Sequence, residues 1–173
     1  TTPKLVATRF GQLCVADITY VATNAGWAYL SLLTDAASRS VPGWSLQPTL
    51  GKEGPIGALN MALERYRAYG VDISQLIHHS DRGVQYCCNE YVSILKAAGI
   101  RISMTQTGDP LHNALAERMN NTLKNGWLFS TEDKSLQQVR RLTKKAIDLY
   151  NTFRPHQSLQ MRTPMEEVGR LTA

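Results

Sequence analysis

No stretch of this chain stays apolar for the roughly 18 residues that a membrane-crossing helix needs, and no charged-then-apolar leader opens it. The expectation is a soluble, cytoplasmic protein. Cysteine is scarce: Cys14, Cys87 and Cys88 form neither an even disulfide set nor a C-x-x-C pair. That excludes a disulfide scaffold and the usual zinc-finger spacing, and leaves plain packing in a reducing compartment as their expected role. Internal repeats, low-complexity tracts and domain linkers are also missing. A single domain with a sizeable core is therefore expected from 173 residues at 43% apolar content. The first residue is Thr1 rather than Met, which suggests a piece of a longer protein.

Acids are the scarcer charge, 14 against 19 Lys and Arg, for a formal net charge of +5. The excess is local. From Arg118 to Arg154 eight basic residues (Arg118, Lys124, Lys134, Arg140, Arg141, Lys144, Lys145 and Arg154) face three acids (Glu132, Asp133 and Asp148). A basic flank of this kind suits a bound polyanion, and it also fits an ordinary solvated helix face.

The hydrophobic pattern changes period along the chain. Gln12–Tyr20, Gly26–Leu33 and Ser40–Leu46 are rich in β-formers and closely spaced, which predicts an antiparallel meander with Pro42 and Gly43 marking a bulge or edge. Ile56, Leu59, Leu63 and Tyr66 recur at helical spacing after Pro55, until Gly70 stops them. A strand over Gln75–His79, a helix capped by Asn89 with Val92, Leu95 and Ala98 inward, and a strand over Ile100–Met104 follow. Asp109-Pro110 opens a helix to about Lys124, with Asp109 as its cap. The last amphipathic helix is predicted over Glu132–Tyr150, with Leu136, Val139, Thr143, Ile147 and Tyr150 on one side. Three strands, then helix, strand, helix, strand and two helices make one α/β domain with a mixed sheet.

Three of the few acids sit where a carboxylate is costly or conspicuous. Asp17 interrupts the apolar run Leu13, Cys14, Val15, Ala16 and Ile18, and a carboxylate there needs a cation, a metal or hydrogen-bond donors. Asp81 ends a second run just before Arg82-Gly83. Glu117 follows after 35 intervening residues, on a predicted helix. On a 3.6-residue period Asn113, Glu117, Asn120, Asn121 and Lys124 share a polar face, while Leu115, Met119, Thr122 and Leu123 lean the other way. Converging from two strands and a helix, these acids would form an oxygen-rich pocket for hard divalent metals. Each also has a plainer reading: Asp17 as a buried acid paired with arginine, Asp81 as a turn acid, Glu117 as surface decoration. Asp35 is expected to tie down its turn with Ser38 or Arg39 rather than to serve as a fourth ligand. His78 and His79, adjacent on a strand, point to opposite faces and cannot share one zinc; His79 falls on the face of Asp81.

The segments Val15-Ala16-Asp17-Ile18-Thr19-Tyr20, Leu33-Thr34-Asp35-Ala36-Ala37-Ser38-Arg39 and His78-His79-Ser80-Asp81-Arg82-Gly83-Val84-Gln85-Tyr86 stand in that order. They are followed by the run 113–124 (Asn113 to Lys124) and by Tyr150-Asn151-Thr152-Phe153-Arg154-Pro155-His156. Together they resemble the catalytic core of retroviral integrases, and most closely the bacterial insertion-sequence transposases that share it. The resemblance implies a ribonuclease H-like fold, with a mixed five-stranded sheet of three antiparallel then two parallel strands and helices on both faces. It implies a catalytic core over residues 1–173, with a DNA-binding region N-terminal to it. It also implies an acidic triad, Asp17, Asp81 and Glu117, holding two Mg²⁺ ions for which Mn²⁺ can substitute. The reaction implied is cleavage at transposon ends and joining of 3′ ends to target DNA, by at least two protomers.

Lys124, Asn113, Asn121, Arg118, Arg154 and His156 are the candidate DNA contacts. Lys124 is also readable as an ordinary exposed lysine, and the segment carrying Arg154 and His156 as a simple helix end. One departure from the family pattern is His112, which stands where these transposases usually carry Asp. The rival readings are a ribonuclease H- or resolvase-like nuclease that hydrolyses without joining, and a degenerate DNA-binding remnant.

Overall fold

The computed structural model describes residues 6–104, 110–128 and 130–173, with side chains from residue 114 in the second stretch. Five strands, β1 (Leu13–Thr23), β2 (Gly26–Asp35), β3 (Gly43–Gln47), β4 (Ile77–Ser80) and β5 (Arg101–Met104), form one sheet in the order β3-β2-β1-β4-β5. The β1–β2 and β2–β3 pairs are antiparallel, and β1–β4 and β4–β5 are parallel. That is the mixed sheet expected from the sequence. The third strand starts at Gly43, not Ser40. A Cβ on Gly43 would overlap the Ala58 carbonyl, so the bare backbone lets the edge strand lie directly against the helix over Glu53–Ala68.

Among the described residues, six α-helices accompany the sheet: α1 (Glu53–Ala68), α2 (Val84–Cys87), α3 (Asn89–Ala97), α4 (Pro110–Gly126), α5 (Leu136–Phe153) and α6 (Pro164–Thr172). Strand alternation splits the core in two. Cys14, Ala16 and Leu33 pack with Leu59, Tyr66, Tyr91 and Leu95 on one face. Val21, Leu30 and Leu32 pack with Met119, Leu123, Val139, Ile147 and Tyr150 on the other. Asp17 has the parity of Val21, so it lies on the α4 and α5 side.

Several boundaries differ from the sequence expectation for identifiable reasons. The helix predicted from Glu132 begins at Leu136, because Ser135 accepts from the Gln138 amide while Gln138 reaches back to the Ser135 amide. The helix that Asn89 was expected to cap already includes Asn89; Leu95 and, just past its end, Ala98 pack inward as expected, with Tyr91 rather than Val92 as the other buried member. Helix α6 was not expected, although Thr163, Pro164 and Glu166 form a second such box. Cys14 packs in the core as expected, whereas Cys87 is exposed. Asp109, His112 and the Asn113 side chain lie outside the described residues. Among the described residues, no helix is long and apolar enough to cross a membrane.

Candidate functional site

Asp17 stands mid-strand in β1, opposite Leu32 of β2, and is half-buried. Its counter-group is an amide, not an arginine: Asn120 of α4 donates from Nδ2 to Asp17 Oδ2 at 2.8 Å. Burial pushes the Asp17 carboxyl above the ordinary aspartate range. The Asn120 and Ile18 hydrogen bonds pull it down, and the Asp81 and Glu117 charges push it further up. The charges of Asp81 and Glu117 therefore lie within electrostatic reach of Asp17.

Asp81 follows β4 directly and is exposed. The amide of Gly83 donates to its Oδ1 at 2.8 Å. A Cβ on Gly83 would stand 2.9 Å from that oxygen, so glycine allows the loop to close onto the carboxylate. Asp17 and Asp81 line a cleft of about 190 Å³ with Tyr20, Tyr29, Leu50 and Tyr86. Glu117 is exposed on α4, one turn before Asn120, and lines a separate groove of about 590 Å³ with Arg118, Asn121, Asn125 and Arg154.

The donor set suits a hard divalent ion, since all three acids offer oxygen and Asn120 Oδ1, beside Asp17, is buried without a partner. None of the three carboxylates has a Lys or Arg ion-pair partner among the described residues. Equally, among the described residues no three His, Cys, Asp or Glu side chains already stand close enough together to share a metal. Asp17 and Asp81 are brought into one cleft, and Glu117 approaches it from α4.

The remaining candidates divide. Lys124 Nζ lies 4.6 Å from the centre of the exposed Tyr20 ring, which itself meets Trp27 edge-on at 5.0 Å. Asn121 is exposed beside Glu117. Arg154, just past α5, stacks over Trp127 at 5.9 Å, and His156 meets Tyr150 edge-on at 5.3 Å. Asp35 is fully buried and serves the fold: it accepts from the Ser38 amide and hydroxyl, the Gly11 amide and the Tyr66 hydroxyl. His78 bonds the Tyr91 hydroxyl and His79 the Ser103 hydroxyl, which bears out their opposed directions. Sequence reasoning placed Asn120 on the polar face but gave it no role. Its partner is 103 residues away, and no local pattern reports that.

Residues 7–110 match the integrase core domain family, and residues 98–164 match a further integrase core domain. The transposase for insertion sequence element IS629 of Shigella sonnei is 34% identical over 163 residues, covering 94% of this chain and 53% of the relative. Transposase InsF for insertion sequence IS3fB of Escherichia coli is 36% identical over 147 residues, covering 84% of this chain and 49% of the relative. The chain thus spans about half the length of these relatives. The HTLV-2 integrase catalytic core domain, solved in complex with magnesium, superposes with a TM-score of 0.67 at 17% identity, over 91% of this chain and 96% of that one. At that identity the likeness speaks to the fold, and it agrees with the ribonuclease H-like arrangement expected from the sequence.

Proposed function

The chain belongs to the integrase core domain family, and on that premise we propose that it is the catalytic domain of a DDE-type polynucleotidyl transferase acting at transposon ends. What supports this reading is that Asp17 of β1 shares a cleft with Asp81 at the end of β4, that the charge of Glu117 on α4 reaches Asp17, and that none of the three has a Lys or Arg ion-pair partner among the described residues.

Asp17, Asp81 and Glu117 would hold two Mg²⁺ ions, with Mn²⁺ able to replace them. Bound there, the metal supplies Lewis acidity that activates a hydroxyl nucleophile and offsets charge on the leaving oxygen. Asp17 contributes a carboxylate fixed by its strand and by Asn120. Asp81 contributes one fixed by the Gly83 amide. Glu117 is the adjustable member, since its side chain is exposed and must turn toward β1 to join the other two. Lys124, Asn113, Asn121, Arg118, Arg154 and His156 are the proposed DNA contacts, chiefly to phosphates. The product is a 3′ end joined to target DNA. Two ends meeting one target call for at least two protomers, and the groove-reading module lies outside this domain.

The test is joining of a pre-processed transposon-end oligonucleotide to target DNA in Mg²⁺ by the full transposase. Asp81→Asn and Glu117→Gln should each abolish products longer than the substrate while the thermal transition stays near that of the parent. Joining at the parental rate by either variant would refute the triad. Shortened products without joined ones would favour the hydrolytic rival.

A further inference from the structure

Against α4, sharing no lining residue with the Asp17–Asp81 cleft, lies a larger cleft of about 700 Å³ whose charge is all of one sign. Arg39, Arg118, Arg154 and His156 line it, together with the Tyr150 ring, and no acid is among its described lining residues. None of the three arginines makes an ion pair among the described residues. Arg154 rests on an aromatic ring instead. The cations feel one another: half-buried Arg39 is pushed below its ordinary range first by burial and then by Arg118, with Tyr150 and Asp35 opposing, and His156 is held below its ordinary range by burial and then by Arg154, Arg39 and Arg118. Like charges gathered this way, with no acid lining the cleft and only the Asp35 carboxylate beneath Arg39 to offset them, oppose folding unless something else requires them.

The cleft is also built. Arg39 takes a left-handed backbone conformation (φ 62°), which non-glycine residues adopt only at a cost. Two bonds hold it there: its amide donates to the Asp35 carbonyl at 2.9 Å, and the Tyr150 hydroxyl donates to its own carbonyl at 2.6 Å. Fully buried Asp35, with its four donors, anchors the turn beneath. At the far wall His156 Nε2 is buried without a hydrogen-bond partner.

We infer that this cleft is a second polyanion site, distinct from the carboxylates, that takes the backbone phosphates of a DNA strand, with Arg39 as its base. Three planar guanidinium forks match phosphate oxygens better than they match water. The cleft is continuous with the groove beside Glu117, because Arg118 and Arg154 line both. A strand held by Arg39 would therefore run past Asn121 and Asn125 toward Glu117. The identity of the polymer as DNA rests on the function proposed above; the phosphate chemistry does not.

The test is binding of a fluorescein-labelled single strand to the full transposase, followed by anisotropy in EDTA across a KCl series, so that no chemistry occurs. Arg39→Asn removes the charge while keeping a residue that tolerates the left-handed region, and Arg118→Gln/Arg154→Gln alters the rim. Each lost contact should weaken binding several-fold irrespective of base sequence and reduce the slope of log K against log salt by about 0.7 per phosphate for a single strand. Arg39→Lys should restore most of the slope. Unchanged affinity and slope in both variants would overturn the inference. Should Arg39→Asn fail to fold, Arg39→Gly, which takes the left-handed conformation without strain, decides the question by the same two readings. Arg39-dependent binding of a labelled polyglutamate in preference to DNA would overturn it too, in favour of an acidic protein partner. Loss of slope with no joined product from the parent protein would sink the proposed reaction alone. Joining with unaltered slopes would sink this site alone.

Discussion

Asn120→Leu separates the geometry of the site from the stability of the fold. Asn120 Nδ2 holds Asp17 Oδ2 at 2.8 Å, and a hydrogen bond to a charged group contributes about 1.5–3 kcal/mol. Asp17 is half-buried, so the lower half of that range applies. At about 1.4 kcal/mol per factor of ten, a loss expressed in the transition state slows joining roughly tenfold to a few tens-fold. The fold should register far less. The unpartnered Asn120 Oδ1 disappears with the side chain, and leucine favours helix over asparagine by up to about 0.5 kcal/mol, both offsetting the donor lost to Asp17. The net change should stay within about 1 kcal/mol, a shift of roughly 2–4 °C in Tm for a domain of this size. Single-turnover joining in Mg²⁺, run beside a thermal melt of the same sample, measures both. A joining rate within twofold of the parent, or a fall that merely tracks unfolding, would show that Asn120 does not position Asp17.

Lys124→Gln should leave the melt unchanged and flatten the salt dependence of duplex binding by about 0.9, the signature of one phosphate contact on duplex DNA, as read by anisotropy. Asn151→Leu should cost about 2–6 kcal/mol in urea unfolding. Its side chain caps both backbone groups of Val41 (2.9 and 3.2 Å), and two buried peptide groups would be orphaned at about 1–3 kcal/mol each. Glu167, clamped between Arg170 and Arg162, has its carboxyl held below the ordinary value of 4.5, with the Arg170 hydrogen bond the first cause. A depressed acid stabilises the fold fully above its unfolded value, and that stabilisation is lost as pH falls through the folded one. Melts at falling pH should therefore show an acid loss that Glu167→Gln lacks. An identical pH profile in both proteins would refute the clamp.

Much of this could be read from the chain because the signals are local. Asp17 stood out as a charge inside a run of β-formers, and Glu117 as one member of a helical polar face; both elements formed as the periodicity required. The mixed sheet followed from three closely spaced strands and two separated by helices. What escaped was long-range. The Asn120–Asp17 bond spans 103 residues. The positively charged cleft joins a turn after β2 to the middle of α4 and the end of α5, three places whose arginines look like ordinary surface charges in sequence. Helix α6 was readable from its Thr163-Pro164-x-Glu166 start, a short signal at the end of a chain whose main periodicity had already run out. Helix α5 starts at Leu136 rather than near Glu132 because the Ser135 hydroxyl and the Gln138 side chain decide where the backbone turns.

Glu117 and Arg118 are covalent neighbours, yet one faces the groove toward the carboxylates and the other also lines the arginine cleft. A single rigid rod thus fixes the offset between an acid and a cation, as teeth on one gear are fixed, and no loop length can adjust it. Successive residues on such a rod point about 100° apart. A one-codon insertion between the two would swing them out of phase, while also turning Leu115 away from Met119 and Leu123. Within this chain, α4 is where the reading frame of the gene and the geometry of the site are most tightly tied.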